Sequence, residues 1–279
     1  MCSFCFASNG WKLGRRGLVR GVLGLAATAA AAPALARLHR KSSFRPLVMI
    51  DPGHGGYDPG AIAPDGVFEK DITLQSGFAL RAALLRTGRY RVAMTRSHDV
   101  FVTLTDRVTM AVSAQADLFL ALHCDHLPVA DLRGASVFTL SGKASDKLAA
   151  GLAKDENNVD QFPGTASHAL SPQVAGILAS LETRATRVGS ATLSQDIQAS
   201  FSGIIPLLPD PGRSANFAVL RDPSTPSTLL EMGCLTNPLD ERLLKSPAHR
   251  ALMAERLTSA IGVYFDKFAP NHGGLIGAG

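Results

Sequence analysis

"PLVMIDPGHGGYDPG" (residues 46–60) starts as a short apolar run and ends in a turn rich in glycine and aspartate. An uninterrupted apolar run cut off by Asp-Pro-Gly reads as a strand buried on both faces. Strands of that kind belong to parallel sheets covered by helices, so this stretch sets the fold class of the chain. It also carries His54, between Asp51 and Asp58, in a turn whose glycines free the backbone to bend sharply.

The pattern continues downstream. "DITLQSGFALRAALLRTG" (71–88) places apolar residues at helical spacing and stops at Gly88. "YRVAMTR" (90–96) reads as the next strand, "TLTDRVTMAVSAQA" (103–116) as an amphipathic helix, and "DLFLALH" (117–123) as another buried strand. "GASVFTL" (134–140) and "PSTLLEMG" (226–233) supply further strands, and a last helix fills 247–267. The interval 144–200 reads as largely helical, broken over 155–172 by Asn, Pro, Gly and Ser. Such alternation predicts an α/β fold: one domain over 47–268, with a mainly parallel sheet between helices. Residues 269–279 read as a flexible glycine-rich tail.

The N-terminal stretch has a different character. Residues 1–36 hold four basic residues (Lys12, Arg15, Arg16 and Arg20) and no acidic one. An alanine-rich apolar run from Val22 to Ala32 follows, then the small residues "ALA" at 34–36. This three-part pattern is that of a secretory signal, and the run is too short to span a membrane. Arg15-Arg16 followed by Gly17, Leu18 and Val19 resembles a twin-arginine export signal, with a general secretory signal as the alternative. The expected destination is the periplasm, with 37–46 a polar linker. The net charge of +5 comes from 28 basic and 23 acidic residues, so loss of those four basic residues leaves 24 against 23. A nucleic-acid partner is therefore not expected. Cys2 and Cys5 would leave with the signal. Cys124 and Cys234 remain and read as small buried hydrophobes, with a disulfide between two strand ends as the alternative.

In open α/β sheets, sites form beyond the carboxyl ends of the strands. The first strand delivers Asp51 and His54 there, the strand at 117–123 delivers His123 and then Asp125, and the last delivers Glu231. Glu69 stands just before the helix near Asp71. Two histidines and a carboxylate, with a position left for water, form a catalytic zinc pattern. Zinc lowers the pKa of bound water, and Glu231 then remains as a general base. Each residue alone has a plainer reading: a turn histidine, a first-turn carboxylate, a strand-end histidine, a solvated glutamate. Their joint placement at one sheet edge is what favours the metal.

"IDPGHGGYDPGA", "FEKDITL", "ADLFLALHCD", "LAKDENNVD" (152–160) and "STLLEMGCLTN", in that order, resemble the zinc-dependent N-acetylmuramoyl-L-alanine amidases of bacterial cell-wall turnover. The resemblance covers 47–267. It implies a six-stranded, mostly parallel sheet and one Zn2+ per chain held by His54, Glu69 and His123, with Glu231 catalytic. The substrate it implies is peptidoglycan, cut at the amide between N-acetylmuramic acid and the L-alanine of the stem peptide, in wall turnover and daughter-cell separation. A related zinc peptidase or deacetylase is one alternative. A wall-binding module without activity is another, although a pure binder needs none of these four residues.

Division-linked members of that family carry a regulatory helix that covers the zinc and answers to an activator protein. "SPQVAGILASLETRATRVGSATLSQ" (171–195) resembles it. The position of the blocking glutamate holds Ala185 here, and Glu182 stands one turn earlier, so either Glu182 substitutes or the block is weak. The alternative is a plain packing helix. Asp51 is the expected brace for a ligand histidine. His126, a rival metal ligand, reads as a loop or substrate contact behind Asp125; Asp125 is a candidate brace or substrate contact, and Arg96 and Arg107 are candidates to bind acidic groups of the stem peptide.

Overall fold

The opening apolar run becomes β1, Leu47–Pro52, in which every residue is buried. A computed structural model describes residues 45–127, 131–161 and 184–268. After β1 come α1 (Glu69–Arg86), β2 (Arg91–Met94), α2 (Leu104–Ser113) and β3 (Leu118–Asp125). Then follow β4 (Ala135–Leu140), α3 (Lys147–Asn157) with a 3-10 turn at Val159–Gln161, α4 (Arg184–Phe201) and β5 (Leu207–Ala215). The described chain closes with a 3-10 turn at Ala218–Leu220, β6 (Ser227–Cys234), α5 (Pro238–Lys245) and α6 (Pro247–Phe268).

The strands form one six-stranded sheet in the order β2-β1-β3-β6-β4-β5. β2, β1, β3 and β6 run parallel, β4 runs antiparallel to β6, and β5 runs parallel to β4. Side chains alternate across a strand, so each strand feeds two cores. Leu118, Leu120, Leu122 and Leu230 pack on one face with Leu80 of α1, Ile197 of α4 and Ile261 of α6. Phe119, Ala121, Phe138 and Leu229 pack on the other with Ala111 of α2 and Leu152 of α3. β3 and β6 are buried along their whole length, which is why their sequences read as continuous apolar runs. The fold is thus the expected single α/β domain with helices on both faces.

Three elements depart from expectation. β5, "LLPDPGRSA", does not read as a strand, because Pro209 and Pro211 cannot donate to a ladder. It forms at the sheet edge, and its register jumps between Leu207 and Gly212 so that the prolines bulge out of the pairing. α1 starts at Glu69 instead of near Asp71. α5 is a separate helix with Pro238 in its first turn, capped by Asn237, whose side chain accepts from Leu239 and Asp240 N–H.

Within 144–200, α3 and α4 are the described helices, and residues 184–200 pack into the core through Leu193 and Ile197 of α4. Residues 162–183, with Glu182, lie outside the described residues, as do 1–44 and 269–279. No helix among the described residues is long and apolar enough to cross a membrane.

Candidate metal centre

Beyond β1 the chain passes directly under a neighbouring imidazole. A Cβ on Gly53 would lie 2.3 Å from Cε1 of His123, so only glycine lets the two strand ends approach. The next residue, His54, has φ of 59°, a left-handed backbone that an L-residue adopts only when its surroundings impose it. Two arginines impose it. Arg96 donates to the carbonyls of Pro52 (2.9 Å), Gly53 (2.8 Å) and Lys70 (2.7 Å). Arg107 donates to the carbonyls of Pro52 (2.8 Å), His54 (2.9 Å) and Val102 (2.9 Å). It also pairs with Asp51 at 2.7 Å, whose carboxylate accepts from Thr95 Oγ1 at 2.5 Å as well. Burial, then the charge of Arg107, brings the Arg96 pKa down to about 10, so Arg96 remains a cation at neutral pH.

These contacts reassign three of the expected roles. Arg96 and Arg107 are buried clamps on the loop, not arms reaching for substrate. Asp51 serves Arg107, and the carboxylate that accepts from His54 Nδ1 is Asp58 Oδ2, at 2.8 Å.

Glu69 is brought in by the first residue of α1. Its Oε2 accepts from Ala61 N–H and its Oε1 from Cys124 N–H, both at 2.8 Å, which fixes the carboxylate between the two strand ends. Gly60 leaves room for it, since a Cβ there would lie 2.6 Å from Glu69 Oε2. His54 Nε2 stands 3.0 Å and His123 Nδ1 3.3 Å from Glu69 Oε1. A fourth group arrives from the last turns of α3: Glu156 Oε2 lies 3.1 Å from His123 Nδ1 and 3.7 Å from His54 Nε2. One donor atom from each of these four residues falls within 4.8 Å of all the others.

The fit to a metal rests on unmet valence. His54 Nε2 and His123 Nδ1 are buried and make no hydrogen bond, although they face carboxylate oxygens. Buried polar atoms left this way call for a ligand. Two imidazoles and two carboxylates are a donor set that suits zinc. In the metal-free chain, burial opposes a charge on His54, but Glu69 and Glu156 outweigh it and lift its pKa to about 10. His123 reaches about 10 on the same balance, with Glu156 the stronger partner. Burial alone would raise Glu69, yet the two histidines hold it well below the usual carboxylate range.

Glu231 is the residue of β6 in register with His123, on the sheet face that carries α3. It is buried, and neither carboxylate oxygen has a hydrogen-bond partner. Burial, followed by the charges of Asp125 and Glu156, pushes its pKa well up. Asp125 is equally buried, with both oxygens unpartnered; burial and then Glu69 lift its pKa to about 8. A cleft of about 540 Å³ opens over the centre, with His54, Glu69, Asp125 and Glu156 in its walls and Ile62, Leu152 and Val159 as its apolar part.

The sequence alone does not single out Glu156, and it leaves Asp58 as a substrate contact or a residue that shapes the loop. Glu156 lay inside "LAKDENNVD", but only the crossing of α3 over the sheet shows that it turns inward. Asp58 follows His54 by four residues in a loop whose path no periodicity predicts. Cys124 and Cys234 are free thiols in the cores on opposite faces of the sheet, which removes the disulfide alternative.

Residues 48–262 match the N-acetylmuramoyl-L-alanine amidase family. N-acetylmuramoyl-L-alanine amidase AmiA of Salmonella typhimurium is 37% identical over 230 residues, 82% of this chain and 79% of that protein. Among solved structures, the amidase Ami1 of Mycobacterium smegmatis superposes with a TM-score of 0.60 at 21% identity, over 80% of this chain and 97% of that one. The CwlD amidase of Clostridioides difficile, solved in complex with the GerS lipoprotein, gives 0.57 at 20% identity, over 80% of this chain and all of that one.

Proposed function

Since this chain belongs to the N-acetylmuramoyl-L-alanine amidase family, we propose that it hydrolyses the amide between N-acetylmuramic acid and the L-alanine of the peptidoglycan stem peptide, with zinc held by His54, Glu69 and His123. The observation that carries the reading is the pair of buried imidazole nitrogens without hydrogen bonds, gathered on Glu69 beside the unpartnered Glu231. Zinc bound there supplies a Lewis acid for the carbonyl and a water of lowered pKa. Glu231 accepts a proton from the attacking water and returns it to the alanine nitrogen as the C–N bond breaks. Asp58 keeps the His54 ring in the orientation that turns Nε2 inward.

Glu156 explains how the enzyme would be restrained. Catalytic zinc sites keep one position for water, whereas four protein donors close the set. Glu156 belongs to α3, which leads into residues 162–183. A protein activator acting on 171–200 would open the site by drawing Glu156 away. The CwlD–GerS complex gives a protein partner on this fold a precedent. Residues 1–36 are read as a twin-arginine leader that delivers the enzyme to the periplasm for wall turnover and daughter-cell separation. Replacing Arg15-Arg16 by two lysines should strand it in the cytoplasm, as fractionation would show.

The decisive assay incubates the purified enzyme with sacculi and measures zinc stoichiometry in parallel. Stem peptides with a free N-terminal L-alanine are expected, and Glu231→Ala should release none while still binding one zinc. Acetate as the sole product, or full activity in Glu231→Ala, would sink the assignment.

A further inference from the structure

Among the described residues of the cleft wall, Asp125 is the buried side chain whose partners are missing and whose purpose the reaction above leaves open. Glu69 and Glu156 engage the histidines, and Asp58 accepts from His54. Asp125 is 1% exposed, and neither of its oxygens meets a donor among the described residues. A buried acceptor left empty costs about 1–3 kcal/mol, so such a group persists where something else fills it.

Its position is set by the strand. β3 carries His123 and then Asp125, and the register with β6 shifts between them, so that Asp125 pairs with Cys234. The shift is a local bulge, the device by which a strand re-aims a side chain beside a site. It leaves Asp125 lining the same cleft as His54, Glu69 and Glu156. Glu231 stands opposite His123 in the same register, two residues along β3 from Asp125. The acceptor is therefore placed near the residue that exchanges protons with the leaving nitrogen.

Resting on the amidase reading, we propose that Asp125 positions the substrate by accepting a hydrogen bond from the N–H of the scissile amide. Binding strips that N–H of water, and in this reading Glu231 is engaged with the attacking water while Glu69 and Glu156 face the histidines, which leaves Asp125 to accept it. The bond fixes the nitrogen on the Glu231 side, where the proton must be delivered. A carboxyl group keeps an acceptor oxygen whether or not it is protonated, so the contact survives either state. Asparagine keeps one such oxygen, and leucine, of similar size, keeps none.

The test compares two soluble substrates: a muramyl peptide, and its ester analogue in which L-lactate replaces L-alanine so that oxygen stands for the scissile N–H. Loss of one acceptor corresponds to roughly a tenfold to hundredfold effect. Asp125→Leu is expected to lower kcat/KM on the amide by that factor, and to change the ester rate by less than about threefold. Asp125→Asn should recover most of the amide loss, with zinc stoichiometry held at one in every variant. An equal fall on both substrates, no fall on the amide, or no recovery with asparagine would overturn the proposal. The comparison is run in the Glu156→Ala background, where the restraint is removed; an enzyme that is inactive on both substrates there overturns the amidase reading itself and this contact with it.

Discussion

Gly53 and His123 show how little freedom the centre leaves at single residues. Substituting Gly53 by alanine pushes a methyl group into the imidazole, whose Cε1, Nε2 and Nδ1 all lie within 2.7 Å of the added carbon. The ring must rotate, so Gly53→Ala should lower zinc affinity at least tenfold in a competitive chelator titration while the fold survives. Glu156 predicts the opposite sign for activity. Glu156→Ala removes the fourth donor, so basal release of stem peptides at saturating zinc should rise severalfold, and zinc should dissociate faster. Unchanged basal activity would mean that Glu156 blocks nothing. His54, Glu69, His123 and Glu231 were legible in the sequence because each stands at the end of a strand or the start of a helix, where the α/β rule puts chemistry. Asp58 and Glu156 were not, because their contacts depend on the path of a loop and the crossing of a helix.

Helix α3 decides where Glu156 goes, and it is anchored at its far end. Asp146 caps it, accepting from Ala149 N–H at 2.9 Å, and also pairs with Arg213 of β5 at 2.8 Å. Loss of an N-cap costs about 1 kcal/mol, so Asp146→Ala should lower Tm by about 2–4 °C in a domain of this size. Raised basal hydrolysis in the same variant would tie the seating of α3 to the restraint, and a Tm shift with unchanged hydrolysis would separate them. β5 is the element that sequence could least supply. Its prolines signal a turn, and only the neighbouring β4 gives its remaining N–H groups something to pair with. Strand order was illegible for a similar reason. The antiparallel insertion of β4 beside β6 follows from packing across the whole sheet, whereas the buried runs of β1, β3 and β6 announce themselves locally.

At the scale of the whole molecule, the centre joins the two halves of the fold: Glu69 from α1, His123 from β3 and Glu156 from α3 come from elements on both faces of the sheet. Metal binding should therefore stabilise the entire domain, and the pKa shifts fix how that gain depends on pH. In the metal-free chain His54 and His123 are raised from 6.5 to about 10. A group raised on folding contributes stability that is complete below its unfolded value and is lost as pH climbs through the folded one. Asp125, raised from 3.8 to about 8, acts in the same direction. Glu69 is lowered, so its contribution fades only in acid, below its unfolded value of 4.5. The metal-free protein should thus lose stability steadily from about pH 6.5 upwards. Zinc requires neutral imidazoles, so its binding releases about two protons and tightens as pH rises. Only the affinity enters the difference between the two forms, so the Tm gap between zinc-loaded and chelator-treated protein should widen from pH 6 to pH 9, because ligand stabilisation grows with the logarithm of affinity. Thermal scans of both forms across that range read it directly. A difference that narrows with pH would mean that His54 and His123 are not the groups the metal displaces protons from.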